Sequence, residues 1–258
     1  MRAKYFGIFI LCIVLLLGMV ACGGSKVAPN GMTGAEILEM SQTSSVNTSQ
    51  FSAIVQVAIM GETMNMTMVG AFDEVGHEMY MVMTEPGISD EDMQIYMVGD
   101  WIYATNSSGE WMKTELTNEI WEKEFVVGQQ LGLLEGFSDA KYLGMENIGG
   151  VNCYKIDVDP NWDAILSATN MSEVEGFTKE EIIDMIKDTS CIVWTAENSY
   201  YPMQIFFSMT IDAQYLGDVA MDTTMTFSSI NQPVVIDLSS EAQNATEISY
   251  EDFIAGGY

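Results

Sequence analysis

The chain has 258 residues, of which 48% are hydrophobic and 10% aromatic, and its formal net charge is −28. Nucleic-acid binding is excluded as a main function, because phosphates are held by Lys and Arg, and the chain has 9 of these against 37 Asp and Glu. Intrinsic disorder is excluded because disordered chains are poor in apolar and aromatic residues. The large negative charge favours solubility, and specific recruitment of cations is the alternative interpretation.

The first 25 residues have the pattern of an exported lipoprotein. Arg2 and Lys4 form a short positive region, and an uncharged apolar run leads to the small residue Ala21, directly before Cys22. This is the layout of a secretory signal with its cleavage site. A cysteine at that point resembles the bacterial lipobox, which implies cleavage before Cys22 and lipid attachment to it. An uncleaved anchor and simple secretion are the alternatives. A spanning helix needs about 20 apolar residues, and this run is a little short.

This interpretation divides the chain into three parts. Residues 1–21 are the signal peptide, residues 22–32 are a lipidated flexible tether rich in Gly, Ser, Pro and Asn, and residues 33–258 form a single domain. The mature protein is expected outside the cytoplasm, anchored to the cell membrane by its N-terminal lipid. Loss of the signal, which contains Arg2 and Lys4, makes the net charge more negative, at −30.

An N-terminal helix and a series of hairpins are predicted in the first half of the domain. Residues 33–44 predict an amphipathic helix, with Thr33 and Glu36 spaced as in a capping box. Apolar and polar residues then alternate, which is typical of strands, and Gly61 and Gly76 mark hairpin turns. The predicted strands cover residues 51–59, 64–68, 79–83, 94–98 and 101–104.

The methionines are the most informative feature of these strands. The chain has 21 methionines, and many follow one strand parity, so that residues two apart share a face of the sheet. Flexible thioethers pack against varied apolar partners, which favours a surface for a hydrophobic ligand; plain core filling is the alternative. The predicted ligand-binding residues are Met64, Met66, Met68, Met79, Met81, Met83, Met93 and Met97.

The second half predicts further strands and three helices. The helices cover residues 118–134, 162–168 and 179–187, and the strands cover 142–146, 153–158, 192–195, 201–211 and 219–227. Residues 233–238 are expected to be extended, and residues 239–245 to form a helical turn. The whole chain therefore predicts about ten strands and four helices with local hairpin connections, an antiparallel α+β fold.

A disulfide is predicted between Cys153 and Cys191. Cys12 leaves with the signal and Cys22 takes the lipid, so only these two thiols remain. Two thiols in an exported domain usually pair, and the bridge would close a loop of about 39 residues. Two buried free thiols are the alternative.

No catalytic residue, metal ligand or cofactor is predicted. His77 is the only histidine, and its expected position in a hairpin turn is unsuited to a buried general base. The G-x-S-x-G motif is absent. The acids from Asp157 to Asp163 alternate as in a calcium loop, but Trp162 and Ala168 stand where the motif requires Gly and Glu.

The element order resembles one superfamily of exported carriers. An N-terminal helix, a long meander, the strands at 101–103 and 154–156, and a closing segment at 233–236 resemble the LolA/LolB-like and LppX/LprG-type lipoprotein carriers. The resemblance spans residues 33–250. It implies a curved antiparallel half-barrel of about ten strands, with helices covering the concave side and acyl chains held between them.

The sequence therefore predicts a membrane-anchored lipoprotein that binds a hydrophobic ligand, a lipid or acyl chain, without catalysis. The alternative is a cell-envelope interaction or sensor module that uses the same fold to bind another protein. A deep apolar pocket would favour the carrier, and an exposed apolar patch over a filled core would favour the module.

Lipidation can be tested by replacing Cys22 with Ala. We expect the variant to lose acyl labelling and to move from the membrane to the soluble fraction, or to accumulate as an unprocessed precursor, because the lipid acceptor is missing. Fractionation and metabolic labelling with a fatty acid measure both effects. Unchanged labelling of the Cys22→Ala protein would contradict the interpretation.

Overall fold

The computed structural model describes residues 27–85, 92–106, 108–117, 120–121, 140–160, 162, 178–213 and 217–255. The signal peptide and Cys22 lie outside these residues, and so do most of the helices predicted over 118–134 and 162–168. Lipidation at Cys22 therefore stays a prediction.

The structure is mostly β, with one open, curled sheet of twelve strands. The strands are β1 Thr48–Ile59, β2 Glu62–Asp73, β3 Glu78–Thr84, β4 Met93–Val98, β5 Trp101–Thr105, β6 Trp111–Glu115, β7 Ala140–Ile148, β8 Val151–Val158, β9 Ile186–Ala196, β10 Pro202–Asp212, β11 Asp218–Ser228 and β12 Thr246–Glu247. Their order in the sheet is β12-β6-β5-β4-β3-β2-β1-β11-β10-β9-β8-β7.

Strand β1 joins the two halves of this sheet. It pairs with β2 from Thr48 to Ile59 and with β11 from Gln50 to Ile59, both antiparallel. On either side the strands follow as meanders, and β12 adds to β6 as a short parallel strand. Hairpin neighbours need only tight turns, which is why an antiparallel sheet forms from this glycine-punctuated sequence.

Among the described residues, three short helices accompany the sheet: α1 Gly34–Gln42, α2 Lys179–Met185 and α3 Tyr250–Ala255. The predicted capping box of α1 is confirmed, since the Thr33 hydroxyl accepts from the Glu36 amide and the Glu36 carboxylate accepts from the Thr33 amide. Ile37 and Leu38 are buried in the same core cluster as Tyr142. None of the described helices is both long and apolar enough to cross a membrane.

The two faces of the sheet differ, and we name them by what they carry. The inner face carries Val55, Met66 and Phe207, which belong to a large buried cluster that also receives α1. A second cluster forms around Met97 and Ile102 and receives Phe253 of α3. Both clusters occupy the inner face, and the opposite face is the outer face.

The element predictions were wrong in two places. The sheet has twelve strands rather than about ten, because β6 and β12 are short and carry weak patterns. Residues 233–238, expected to be extended, form neither helix nor strand. The helix predicted over 179–187 ends at Met185, since the chain continues directly into β9 at Ile186.

The predicted disulfide between Cys153 and Cys191 is wrong, because both thiols are free and buried. In the β8–β9 register Cys153 lies opposite Ala196, whereas Cys191 lies opposite Val158. Five residues along a strand separate the two positions by about 17 Å, and a disulfide needs Cα atoms about 4.4–6.8 Å apart. Odd spacing along β8 also puts the side chains on opposite faces of the sheet.

Gly34 allows α1 to approach β7 closely. A Cβ atom at this position would lie 2.3 Å from the Ala140 carbonyl oxygen and 2.6 Å from the Tyr142 amide nitrogen. Both are backbone atoms, which cannot rotate away. We therefore expect Gly34→Ala to lower the free energy of unfolding by about 1–3 kcal/mol, although Ala normally stabilises a helix relative to Gly.

Urea denaturation measures this change. Glu39→Ala is the matched control, because Glu39 is exposed on the same helix and an exposed substitution changes stability by no more than about 0.5 kcal/mol. A Gly34→Ala protein as stable as the parent would show that α1 does not rest on the backbone of β7.

The buried thiols give a second prediction. Burial raises the pKa of Cys153 to about 11, with a further increase from the nearby Glu146 carboxylate, and burial raises the pKa of Cys191. A thiol reagent at pH 8 should therefore leave the folded mature protein unlabelled. After unfolding without reductant it should label two thiols per chain, or one in Cys153→Ser. Labelling that appears only after reduction would show instead that the two cysteines form a disulfide.

Candidate ligand-binding site on the methionine face

The register places all eight predicted methionines on the inner face, and we call this set the methionine face. Met68 lies opposite Met83, and Met83 lies opposite Met93, so three methionines stand side by side across β2, β3 and β4. Met79 lies opposite Met97 in the same way. The expected shared face is thus confirmed as geometry, and contact with a ligand stays a prediction.

A tight turn fixes this alignment. Residues 74–77 connect β2 to β3, and the Asp73 carboxylate accepts a hydrogen bond of 2.8 Å from the Gly76 amide. His77 adopts φ +53° in this turn and is exposed, with its ring 5.0 Å from that of Trp121. The predicted turn position of His77 is therefore confirmed. A slip of one residue here would move every methionine of β3 to the outer face.

The methionines differ in burial. Met66, Met68, Met83 and Met97 are buried, with Met97 fully inaccessible. The others are partly exposed: Met64, Met79, Met81 and Met93. Methionine side chains on one face of the sheet therefore differ in how far they are exposed to solvent.

The partly exposed residues of β3 and β4 lie between the two buried clusters. Met81 and Met93 pack against the first cluster, whereas Met79 and Ile95 pack against the second. We call these four residues the inter-cluster strip. The strip is the partly exposed part of the inner face on β3 and β4.

Two small residues, Gly70 and Ala104, lie opposite residues of the inter-cluster strip. Across the sheet, Met81 lies opposite Gly70 on β2 and Ile95 on β4, and Ile95 lies opposite Ala104 on β5. The ring of Phe51 occupies the space above Gly70, where a Cβ atom would lie 2.5 Å from Cζ of Phe51. The aromatic ring of Phe51 therefore lies beside Met81.

The site is electrically neutral. The inner-face positions of residues 64–72, 79–83 and 93–97 carry no ionisable side chain. Glu85 follows β3, and burial raises the pKa of its carboxyl group above the usual range. A charged ligand group would find no partner on the strip, and an apolar group would find thioethers, an isoleucine and an aromatic ring.

Two buried hydroxyls were not singled out by the sequence. Thr223 lies opposite Val55 and Phe207, and Thr195 lies opposite Tyr154, all on the inner face. Within the part of the chain that the structure describes, neither hydroxyl has a hydrogen-bond partner. Threonine is common in strands, so nothing in the pattern distinguishes these two.

No protein-family model matches the chain, and a search of curated proteins found no relative. Among solved structures, the chain is similar to the lipoprotein LppX of Mycobacterium tuberculosis, with 15% identity and a TM-score of 0.49 over 79% of this chain and 97% of LppX. LprF from Mycobacterium bovis is 12% identical, with a TM-score of 0.48 over 83% of this chain and 99% of LprF.

The sequence resemblance to LppX-type lipoproteins thus reappears as a likeness of fold. A third similar structure is MucB of Pseudomonas aeruginosa, solved in complex with MucA, with 8% identity and a TM-score of 0.36 over 81% of this chain and 62% of that one. At these identities the similarities concern the fold and leave function to be argued from the residues of this chain.

Because the methionines differ in burial, replacing them with alanine should change the free energy of unfolding by different amounts. Met66→Ala should lower the free energy of unfolding by about 2–5 kcal/mol, as for a buried methionine, because it leaves a cavity. Met81→Ala should lower it by less than about 2 kcal/mol, because this side chain already lies partly in solvent. Urea denaturation of the two variants measures the difference. Equal losses would mean that the strip is ordinary core.

Proposed function

We propose that the protein is an exported lipoprotein that binds a hydrophobic ligand, a lipid or acyl chain, along the inter-cluster strip and catalyses no reaction on it. The observation that carries this proposal is the partial exposure of Met79, Met81, Met93 and Ile95 between two buried clusters on a neutral face. The absence of charge from these positions supports an apolar ligand over a polar one.

The dimensions of the strip support a narrow ligand. From Met79 to Met83 the strand runs about 13 Å, and neighbouring strands lie about 4.8 Å apart. A single extended hydrocarbon chain fits such a surface along its length. Each square ångström of apolar surface removed from water contributes about 25 cal/mol, and flexible thioethers adjust to chains of different branching.

Anchoring at Cys22 would keep this site near the membrane. The first described residue is 27, and Ala28 is already buried against the domain. Five residues span at most about 18 Å, so a lipidated Cys22 would hold the domain close to the bilayer. The net charge of −30 would repel anionic headgroups, which supports tethering by the lipid rather than adsorption of the protein surface.

Protein binding remains the second candidate function, and it draws on a different surface. Ile54 and Val69 are exposed apolar residues on the outer face of β1 and β2, 53% and 48% accessible. Burial of such residues is typical of a partner interface. The two functions use opposite faces of the sheet and can coexist.

Ligand binding can be measured with a fluorescent fatty acid. Met81→Gln has nearly the same shape as the parent but places an amide on the strip, and desolvating that amide should weaken probe binding about tenfold. Met81→Leu should bind the probe as the parent does.

Val69→Gln is the matched control, because Val69 lies on the outer face of the neighbouring strand. It should leave probe affinity unchanged. Native mass spectrometry of the purified parent protein should show bound lipid. A parent protein that neither carries lipid nor takes up the probe would refute the carrier function.

A further inference from the structure

Five aromatic residues form a continuous strip on the outer face of β3 to β6. Tyr80 lies opposite Tyr96, and Tyr96 lies opposite Tyr103, so three tyrosines cross the sheet in one row. The Tyr80 and Tyr96 rings stack at 6.0 Å, and the Trp111 ring lies 5.7 Å from that of Tyr96. Trp101 completes this set, which we call the aromatic strip.

Four of the five rings of the aromatic strip are accessible. Tyr80, Tyr96, Trp101 and Trp111 are partly exposed, whereas Tyr103 is buried. The strip is built on strands rather than loops, so its rings are held in fixed positions. Inner and outer positions alternate, and the strip lies on the side of the sheet opposite the methionine face.

Acidic residues surround the aromatic strip. On the outer face Glu78 precedes Tyr80 by two residues, and Glu115 lies opposite Trp101. Among the described residues from 62 to 117 there are nine Asp and Glu but a single Lys or Arg, Lys113. This half of the sheet therefore presents electron-rich rings within a negative field, which attracts cations.

Lys113 shows how a cationic group is bound at the aromatic strip. The Lys113 ammonium lies 4.1 Å from the centre of the Trp101 ring and 3.6 Å from the Glu247 carboxylate. Ring and carboxylate together thus bind a cationic side chain at the end of the strip. The remaining rings, Tyr80, Tyr96 and Trp111, offer the same chemistry to a cation from outside the chain.

We propose that the aromatic strip docks an arginine-bearing segment of a partner protein. Guanidinium groups stack on aromatic faces and also pair with carboxylates, so they match both components of this surface. A second copy of the chain does not fit, because two mature chains each carrying −30 repel one another. An anionic lipid surface is repelled for the same reason.

The test uses a fluorescein-labelled peptide with four arginines spaced by glycines and measures fluorescence anisotropy with the full mature protein. Any polycation is attracted to so acidic a chain, so the informative variants keep the charge constant. Tyr80→Leu/Tyr96→Leu should weaken binding about tenfold, because two cation–π contacts are lost. Tyr80→Phe/Tyr96→Phe should change it by no more than about twofold, because the rings remain.

Two further comparisons localise the effect. Glu78→Gln should weaken binding more than Glu62→Gln, since each removes one negative charge but only Glu78 adjoins the strip, Glu62 lying at the start of β2. A citrulline version of the peptide, neutral but similar in shape, should not bind. If thermal unfolding shows the double Leu variant to be unstable, Trp111→Leu replaces it.

Equal affinity of the Leu and Phe variants would overturn the proposal, because it would reduce the binding to overall charge. Binding of the citrulline peptide as tight as that of the arginine peptide would also overturn it, since binding would then not depend on the positive charge of the arginines. Uptake of the fluorescent fatty acid should be unchanged in the Leu variant, so that this proposal and the carrier function fail or stand separately.

Discussion

The pairing of β1 with both β2 and β11 is the constraint on which the rest of the structure depends. Ten residues of β1 are matched on both sides, and this double ladder fixes the register of both meanders. Because side chains alternate with period two, a slip of one residue would exchange inner and outer positions in a whole half of the sheet. Core and surfaces are therefore set by one strand.

Two chemically different surfaces follow from that alternation. The inner positions of residues 64–72, 79–83 and 93–97 carry thioethers and no charge, whereas the outer positions of β3 to β6 carry rings bordered by carboxylates. Each strand contributes to both surfaces with neighbouring residues, for example Met79 inside and Tyr80 outside. The sheet thus separates a site suited to hydrocarbon from one suited to cations by the thickness of a single backbone layer.

Local patterns were predictable, and pairing across the sheet was not. Thr33 and Glu36 identified the start of α1, and the alternation of Met79, Met81 and Met83 identified their common face, because both signals lie within a few residues. The disulfide prediction failed because the pairing register of β8 and β9 cannot be read from the sequence, and that register separates the two cysteines. The unequal cover of Met66 and Met81 depends on which distant elements pack above them, which no short pattern records.

The docking of α1 on β7 has a mechanical consequence. The helix follows directly on the segment that leads to Cys22, and its first residue touches the backbone of the edge strand through Gly34. A pull on an anchor attached there would be carried by the capping turn of α1 into β7, at the far end of the sheet from β3 and β4. If Cys22 is lipidated, force from a fluctuating bilayer would therefore strain the edge strand first and leave the strands that carry Met79, Met81 and Met93 in place.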